Sequence, residues 1–434
     1  MTLRIVAGID FSTAWADVCL LASDGQRLVA HRRFPNSVPG FQAFKQLLLT
    51  TLATHSATAL DISGEATGTY WLPFFLALAA DPQLNAHHLR LFVLNPRWVA
   101  WHKRCYPDDN KTDARDAYYI ADRLRTRPPD TPWQAHLPVR PLRTYTRYRF
   151  HLVQALAREK SFFCAHLFLK ASAYRRLMPF SDVFGVTSRA ILQQSAPLQV
   201  FTDRPTAELA TELATISRHH LPDALASAAQ LQQVAAESFP LPAALDLPQH
   251  RLLSGTLSYI AFLDSQIRQV EDWIAAELDN HPPIRQLMTI PGIGQACAAG
   301  IGAEICPVQR FLDGTKFDAR RGRQRPRNLR DAEDAVAKIA GLWWPRAESG
   351  NFAAADRHLA KSGNAYLRYY LIQTADQLRR HAPEYRRFYG RKYREATKHH
   401  HKRALVLTAR KSVGLIVGLL HRNEAYRSKG VQPT

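Results

Sequence analysis

Four carboxylates are the residues of this chain whose types and spacing most directly suggest chemistry. Asp10 closes the apolar run Ile5-Val6-Ala7-Gly8-Ile9-Asp10-Phe11-Ser12, which predicts a β-strand, and a charge at the end of a buried strand needs a cation or a partner. Glu65 lies in Asp61-Ile62-Ser63-Gly64-Glu65-Ala66-Thr67-Gly68, at the carboxyl end of a second predicted strand, where open α/β sheets present their sites. Asp113 and Asp116 are three apart in Lys111-Thr112-Asp113-Ala114-Arg115-Asp116-Ala117, so a helix places both on one face near its amino end. Divalent cations compensate such repulsion, and hard oxygen donors suit Mg²⁺ or Mn²⁺ rather than zinc. The chemistry this set could support is phosphodiester cleavage, in which two metals about 3.5–4 Å apart flank an in-line displacement.

The elements that must position these acids can be read from the same stretch. Leu3 to Phe34 alternates apolar runs around Asp24-Gly25, a turn signal, and predicts a three-strand meander. A helix around Phe41 to Leu52, a strand at Ala59 to Ser63, a helix at Tyr70 to Ala80, a strand at Leu89 to Leu94 and a helix at Thr112 to Leu124 follow. Strands followed by alternating helices and strands indicate an α/β domain with a mixed sheet. Prolines 128, 129, 132, 138 and 141 then disfavour helix, which sets a domain boundary near Pro138. Helical spacing over Leu142 to Ala173 and over Leu252 to Leu278 predicts two long helices able to pair with each other or with another subunit. Between them, Ser181 to His250 reads as short helices and loops. The predicted domains are 1–138, a helical coiled-coil and assembly region at 139–281, and a mainly helical domain at 282–434.

Charge narrows the partner. Lysine and arginine outnumber aspartate and glutamate by 57 to 37, a formal net charge of +20 over 434 residues, which points to a polyanion. Nucleic acid leads, since no run of about 18 apolar residues is present to span a bilayer. The amino terminus reads as a strand rather than a signal peptide, so the expected location is cytoplasmic. Arginines concentrate in Arg320 to Arg330, six in eleven residues, and again from Arg379 to Lys411, where Tyr385, Phe388, Tyr389 and Tyr393 interleave them. These stretches predict backbone-contacting surfaces whose binding weakens steeply with salt. Arg320, Arg321, Arg323, Arg386, Arg387, Arg391 and Lys392 are the candidate contacts. Five scattered cysteines without a CxxC pair indicate reduced core thiols, and His399-His400-His401 points in different directions on a helix, which argues against a metal site.

Taken together, these motifs resemble the DEDD transposases of bacterial insertion sequences, relatives of the pilin-gene inverting recombinases and of recombinases guided by a bridge RNA. The likeness rests on Gly8-Ile9-Asp10, Glu65-Ala66-Thr67-Gly68, the Lys111 to Ala117 segment and a carboxy-terminal set. It implies a RuvC-like RNase H fold for the first domain, with Asp10, Glu65, Asp113 and Asp116 as an acidic tetrad, and a last domain bearing a catalytic serine. Ile290-Pro291-Gly292-Ile293-Gly294 resembles the family's helix-hairpin-helix turn, where Gly292 and Gly294 would offer backbone amides to a phosphate. The family's Ser-Gly pair maps onto Ser349-Gly350, and Lys361-Ser362-Gly363-Asn364-Ala365-Tyr366-Leu367-Arg368 resembles its Lys-x-Gly-Asn-x-x-Leu-Arg segment, which adds Lys361, Asn364 and Arg368 to the contacts. By spacing alone Ser362 is a helix N-cap. The stretch Asp313 to Asp334 departs from the family pattern as an insertion, as do Trp343-Trp344 and Glu348.

The resemblance further implies a homo-oligomer that brings the acidic site of one subunit near the serine of another, a covalent phosphoserine link to DNA, and a guide RNA encoded by the element. Two other readings remain open at this stage. A junction-resolving nuclease would use the same acids with water as nucleophile, and a nucleic-acid-binding protein would carry an inactive RNase H-like core.

Overall fold

The computed structural model describes residues 3–106, 112–194, 198–319, 321–345, 348–349, 352–353 and 359–427. The chain divides into two compact units, residues 1–136 and 137–434.

The first unit is built on a five-stranded mixed sheet. Its strands are β1 (Arg4–Phe11), β2 (Trp15–Ala22), β3 (Arg27–Pro35), β4 (Ala59–Glu65) and β5 (Arg90–Leu94), in the order β3-β2-β1-β4-β5. The meander β1-β2-β3 is antiparallel, while β4 and β5 run parallel to β1. Helices α1 (Val38–Thr54), α2 (Leu72–Ala80), α3 (Pro82–Asn85), α4 (Pro96–Lys103) and α5 (Asp113–Thr126) complete the unit. One sheet face buries Ile5, Ile9, Val18, Leu20, Leu60 and Ile62 against Phe44, Leu48, Phe74 and Phe75 of α1 and α2. The other buries Val6, Cys19, Leu21, Phe92 and Leu94 against Val99 of α4 and Ala117, Ile120, Ala121 and Leu124 of α5. Period-2 alternation sorts the two sets, and both faces are covered, as parallel strands require.

Helix α4 has no counterpart in the sequence reading, although its start signals are present. Asn95 caps it through Arg97 N and Pro96 opens it, where a missing amide costs nothing. With only Val99 buried, it lacks the apolar period that reveals a helix.

The second unit is helical. Helix α6 (Arg140–Lys170) is followed by α7 (Tyr174–Leu177), α8 (Val186–Leu192), α9 (Thr206–Ile216) and α10 (Ala224–Glu237), then α11 (Ala243–Leu278), α12 (Pro282–Arg285) and α13 (Gln295–Ile305). A hairpin β6 (Thr315–Asp318) and β7 (Arg323–Pro326), α14 (Leu329–Ile339), β8 (Glu348–Ser349), β9 (Phe352–Ala353), α15 (Ala365–His381), α16 (Pro383–Arg394) and α17 (His400–Arg422) complete it. The two long helices pair with each other in opposite directions, with Arg149 on Glu271 (2.6 Å) and Gln249 donating to the carbonyl of His166 (2.8 Å). They thread two cores. Leu263, Ile267, Val270 and Ile274 pack with α13, α15 and α17, while Phe163, Leu167, Leu253 and Leu257 pack with α7 to α10.

Three features correct the sequence reading of this unit. Helix α11 begins at Ala243, ahead of Pro248, because a proline in the second turn leaves only one early carbonyl, that of Ala244, without its amide. The arginine-rich stretch, expected to be helical, folds into the β6-β7 hairpin ahead of α14, which is fixed by an Asn328–Asp331 capping box. The N-cap before α15 is Asn364 rather than Ser362, with Asn364 Oδ1 accepting from Leu367 N at 3.0 Å. Among the described residues α17 alone is long and apolar enough to cross a membrane, and more than half of its most apolar window is buried within the unit. All five cysteines are free; Cys19 and Cys306 are buried, whereas Cys105 is exposed.

Candidate metal centre and nucleic-acid contacts

Strand register decides which acids can meet. Ile9 pairs with Gly64 across the parallel β1-β4 ladder, so the next residues, Asp10 and Glu65, stand side by side at the strands' carboxyl ends. Asp10 lies directly opposite Asp17 on β2, and opposed residues share a sheet face. That face is the one covered by α5, because Gly8, two residues before Asp10, meets the helix there. A Cβ at Gly8 would lie 2.3 Å from the carbonyl oxygen of Ala117 and 2.3 Å from the amide of Ala121. The glycine of Gly8-Ile9-Asp10 therefore lets α5 press against β1, and the first turn of α5, with Asp113 and Asp116, is carried toward Asp10. Thr112 caps that turn through Arg115 N, and the amino end of the helix favours the two carboxylates.

The electrostatics show the acids acting on one another. The Asp10 carboxyl is pushed up to about 6, first by burial, then by Asp116 and Glu65, with Asp113 adding a smaller push and Lys103 opposing. Glu65 is raised by burial and by Asp116, against the pull of Lys103. Asp116 is buried, while Asp113 is largely exposed.

Two cations that sequence reasoning missed hold the cluster as it stands. Lys103, at the end of α4, places Nζ 2.7 Å from Asp116 Oδ1. Arg33 on β3 bridges Asp17 (2.9 Å) and Asp113 (2.6 Å), and His31 also reaches Asp17 at 2.6 Å. No spacing rule links residues from three separate elements, so the sequence carried no signal for them. Among the described residues no three Asp, Glu, His or Cys side chains close around one point. The donor set itself, four carboxylates of which Asp10 and Glu65 are raised by burial and by neighbouring acids, fits a hard divalent cation.

Ser349 lies in β8, with its backbone paired to Phe352; its side chain and Gly350 fall outside the described residues. Gly292 adopts φ +80° in the turn before α13, and a Cβ there would collide with His381, so this turn demands glycine. Gly294 is the N-cap of α13 and faces open space. Asn364 is doubly engaged, capping α15 and donating Nδ2 to Glu304 Oε2 at 2.7 Å. Arg368 Nη1 donates to the carbonyls of Ala340 and Lys361, both at 3.0 Å, which fixes the loop on which exposed Lys361 stands. Arg386 binds the carbonyl of Arg380, Lys392 pairs with Glu395 at 2.5 Å and Arg391 with the same residue at 3.7 Å. Arg321, Arg323 and Arg387 are exposed, and Arg320 lies outside the described residues. His400 and His401 engage Tyr393 and Tyr389 rather than one another.

Residues 7–169 match a transposase family model of the DEDD type named for the IS110 insertion sequence, and residues 325–390 match that of the Transposase IS116/IS110/IS902 family. The chain belongs to the IS110-type DEDD transposases. The first match takes in all four acids and the second takes in Ser349, Lys361, Asn364, Arg368, Arg386 and Arg387. No curated protein matches the transposase. It is thus a DNA transposase/recombinase of an insertion sequence, and DNA is its partner.

Proposed function

We propose that this transposase cuts and rejoins DNA with divalent metal, Mg²⁺ or Mn²⁺, at Asp10, Glu65, Asp113 and Asp116, on an RNase H-like domain at residues 1–138. The observation that carries the reading is the convergence on Asp10 of β1: besides burial, Glu65 of β4 and Asp116 and Asp113 of α5 each raise its carboxyl. The bound metal would polarise a phosphoryl oxygen and stabilise charge on attacking and leaving oxygens. Lys103 and Arg33 pair with Asp116 and Asp113 and tie α4 and β3 to α5, which positions these two acids.

Ser349 is the proposed nucleophile. Its oxygen forms a bond to phosphorus as the bond to one deoxyribose oxygen breaks, and the serine proton passes to that leaving oxygen through an acid–base group. The phosphodiester bond energy is then held in a serine ester until the second strand's hydroxyl attacks and regenerates the serine. The domain at 282–434 supplies this residue and the basic contacts, the region 139–281 serves assembly of a homo-oligomer, and an RNA from the element directs the complex to its sites.

Recombination between donor and target plasmids tests the reading. It should fall by on the order of 10³-fold or more in Asp10→Ala, since even one stabilising donor is worth about 10²–10³. Ser349→Ala should abolish both recombination and the protein–DNA adduct trapped by denaturant. Cleavage that persists in Ser349→Ala with no adduct in the parent would replace serine by water, as in a junction-resolving nuclease.

A further inference from the structure

Around Glu304, in the second unit, arginines outnumber carboxylates three to one among the described residues. Glu304 sits near the end of α13 and is 4% exposed. Arg147 approaches it with both arms of its guanidinium, at 2.7 and 3.0 Å, Asn364 donates at 2.7 Å, and Arg143 stands 3.7 Å away. Arg143 Nε also donates to the carbonyl of Ala303 at 2.8 Å, and Arg310 Nη2 to the carbonyl of Glu304 at 2.7 Å. Arg140, Arg143 and Arg147 recur three and four apart along the first turns of α6, which brings them to one helix face.

The charges do not balance. Three guanidiniums, which stay protonated in proteins, face one carboxylate and the carboxyl-terminal end of α13, equivalent to about half a negative charge. Burial lowers the pKa of Arg143 and Arg310, the latter to about 10, and the neighbouring Arg143 lowers that of Arg310 further. Arg310 Nε is buried without a hydrogen-bond partner among the described residues, and a buried donor left unmade is costly. The cluster is open to solvent at Arg147, whose side chain is 42% exposed and lies 4.6 Å over the ring of Tyr366.

We infer that Arg143, Arg147 and Arg310, flanked by Arg140, seat one phosphodiester of a nucleic-acid backbone, with Glu304 as the positioning residue that fixes the plane of Arg147. A phosphate supplies the missing negative charge, and its oxygens suit several planar donor forks at once. None of these residues lies in the arginine-rich stretches at 320–330 or 379–411. The inference rests on the transposase acting on nucleic acid and is independent of how the carboxylates and Ser349 work.

The test is the salt dependence of binding by the full chain, measured in EDTA so that strand chemistry plays no part. A DNA duplex and a single-stranded RNA are compared for the parent, Arg143→Gln and Arg310→Gln. Each lost phosphate contact should reduce the slope of log affinity against log salt by about one, with affinity falling several-fold at moderate salt. A change confined to the duplex assigns the phosphodiester to DNA, and one confined to the RNA assigns it to RNA. Unchanged slopes for both polymers, in variants with the parent's far-ultraviolet dichroism, overturn the inference. Should the glutamine variants not fold, Arg310→Lys keeps the charge but loses the fork. The parent's thermal midpoint should then rise more with inorganic phosphate, relative to chloride at equal ionic strength, than that of Arg310→Lys; equal rises overturn the inference.

Discussion

The carboxylates around Asp10 and the arginines around Glu304 are opposite in sign and alike in construction. In the first unit several acids share two cations, Lys103 and Arg33; in the second several arginines share one acid. In both, a helix pressed close to its neighbour gathers like charges from separate elements, and burial together with the like charges moves Asp10 upward and Arg310 downward. They differ in what the central carboxylate does. Glu304 is deeply buried and ties α6, α13 and α15 together, so it is structural as well as electrostatic. Asp10 is partly buried and accepts repulsion from its neighbours, so it is a liability to folding that a ligand would relieve.

The largest effect should come from removing the minority charge. Glu304→Ala leaves Arg147 and Asn364 without their partner, and breaking a buried pair costs about 3–5 kcal/mol; urea unfolding should show a loss of that order. A loss below about 1 kcal/mol would mean that the arginines relax into solvent and that the two clusters are not built alike.

Gly8→Ala tests what positions the acidic side. The added methyl meets the backbone of α5 rather than a flexible side chain, and overpacking of this kind costs about 1–3 kcal/mol or more. Recombination should fall further than stability, because α5 carries Asp113 and Asp116. An active, stable Gly8→Ala protein would show that α5 can shift without disturbing the site.

Asp10→Asn should do the reverse of Glu304→Ala in metal-free protein, leaving stability equal or raised. Saturating Mg²⁺ should stabilise the parent, by about 2.7 kcal/mol at a hundred times its dissociation constant, and should have little effect on the variant. Equal responses of the two thermal midpoints to Mg²⁺ would remove Asp10 from the metal site.

The smallest effect is in pH. Asp10 has a folded pKa near 6, above its ordinary value of 3.8, so the folded protein binds the extra proton between those values. Its contribution to stability is therefore present below about pH 3.8 and is lost as pH rises through about 6. Asp331 behaves oppositely, since Arg325 and Lys316 hold its carboxyl far below the usual range; its contribution is present above about pH 4 and is lost on acidification. Asp10→Asn should flatten the fall in metal-free stability between pH 4 and 7 and leave the acid limb unchanged. A fall that persists in the variant would place the proton elsewhere.

Much of the acidic site was legible because its signals are local. An apolar strand ending in Asp10, a second ending in Glu65 and a helix opening with Asp113 and Asp116 can each be read from period and position. The arginine-rich stretch misled because its hairpin is exposed almost throughout and carries no period-2 apolar pattern, and Asn364 rather than Ser362 is the cap, with Glu304 holding its amide. Lys103, Arg33 and Glu304 were not legible, since their partners come from other elements; Arg147 and Glu304 are 157 residues apart.

The sequence by itself determined which residues bear charge, which runs form strands or helices, and hence the mixed sheet with acids at its carboxyl end. Tertiary structure alone decided which charges are left short of partners. That follows from physics: element type depends on contacts a few residues apart, whereas a charge's free energy depends on burial and on every neighbour that folding brings within reach. The carboxylates with which the sequence began are brought together only because Gly8 lets α5 close onto β1.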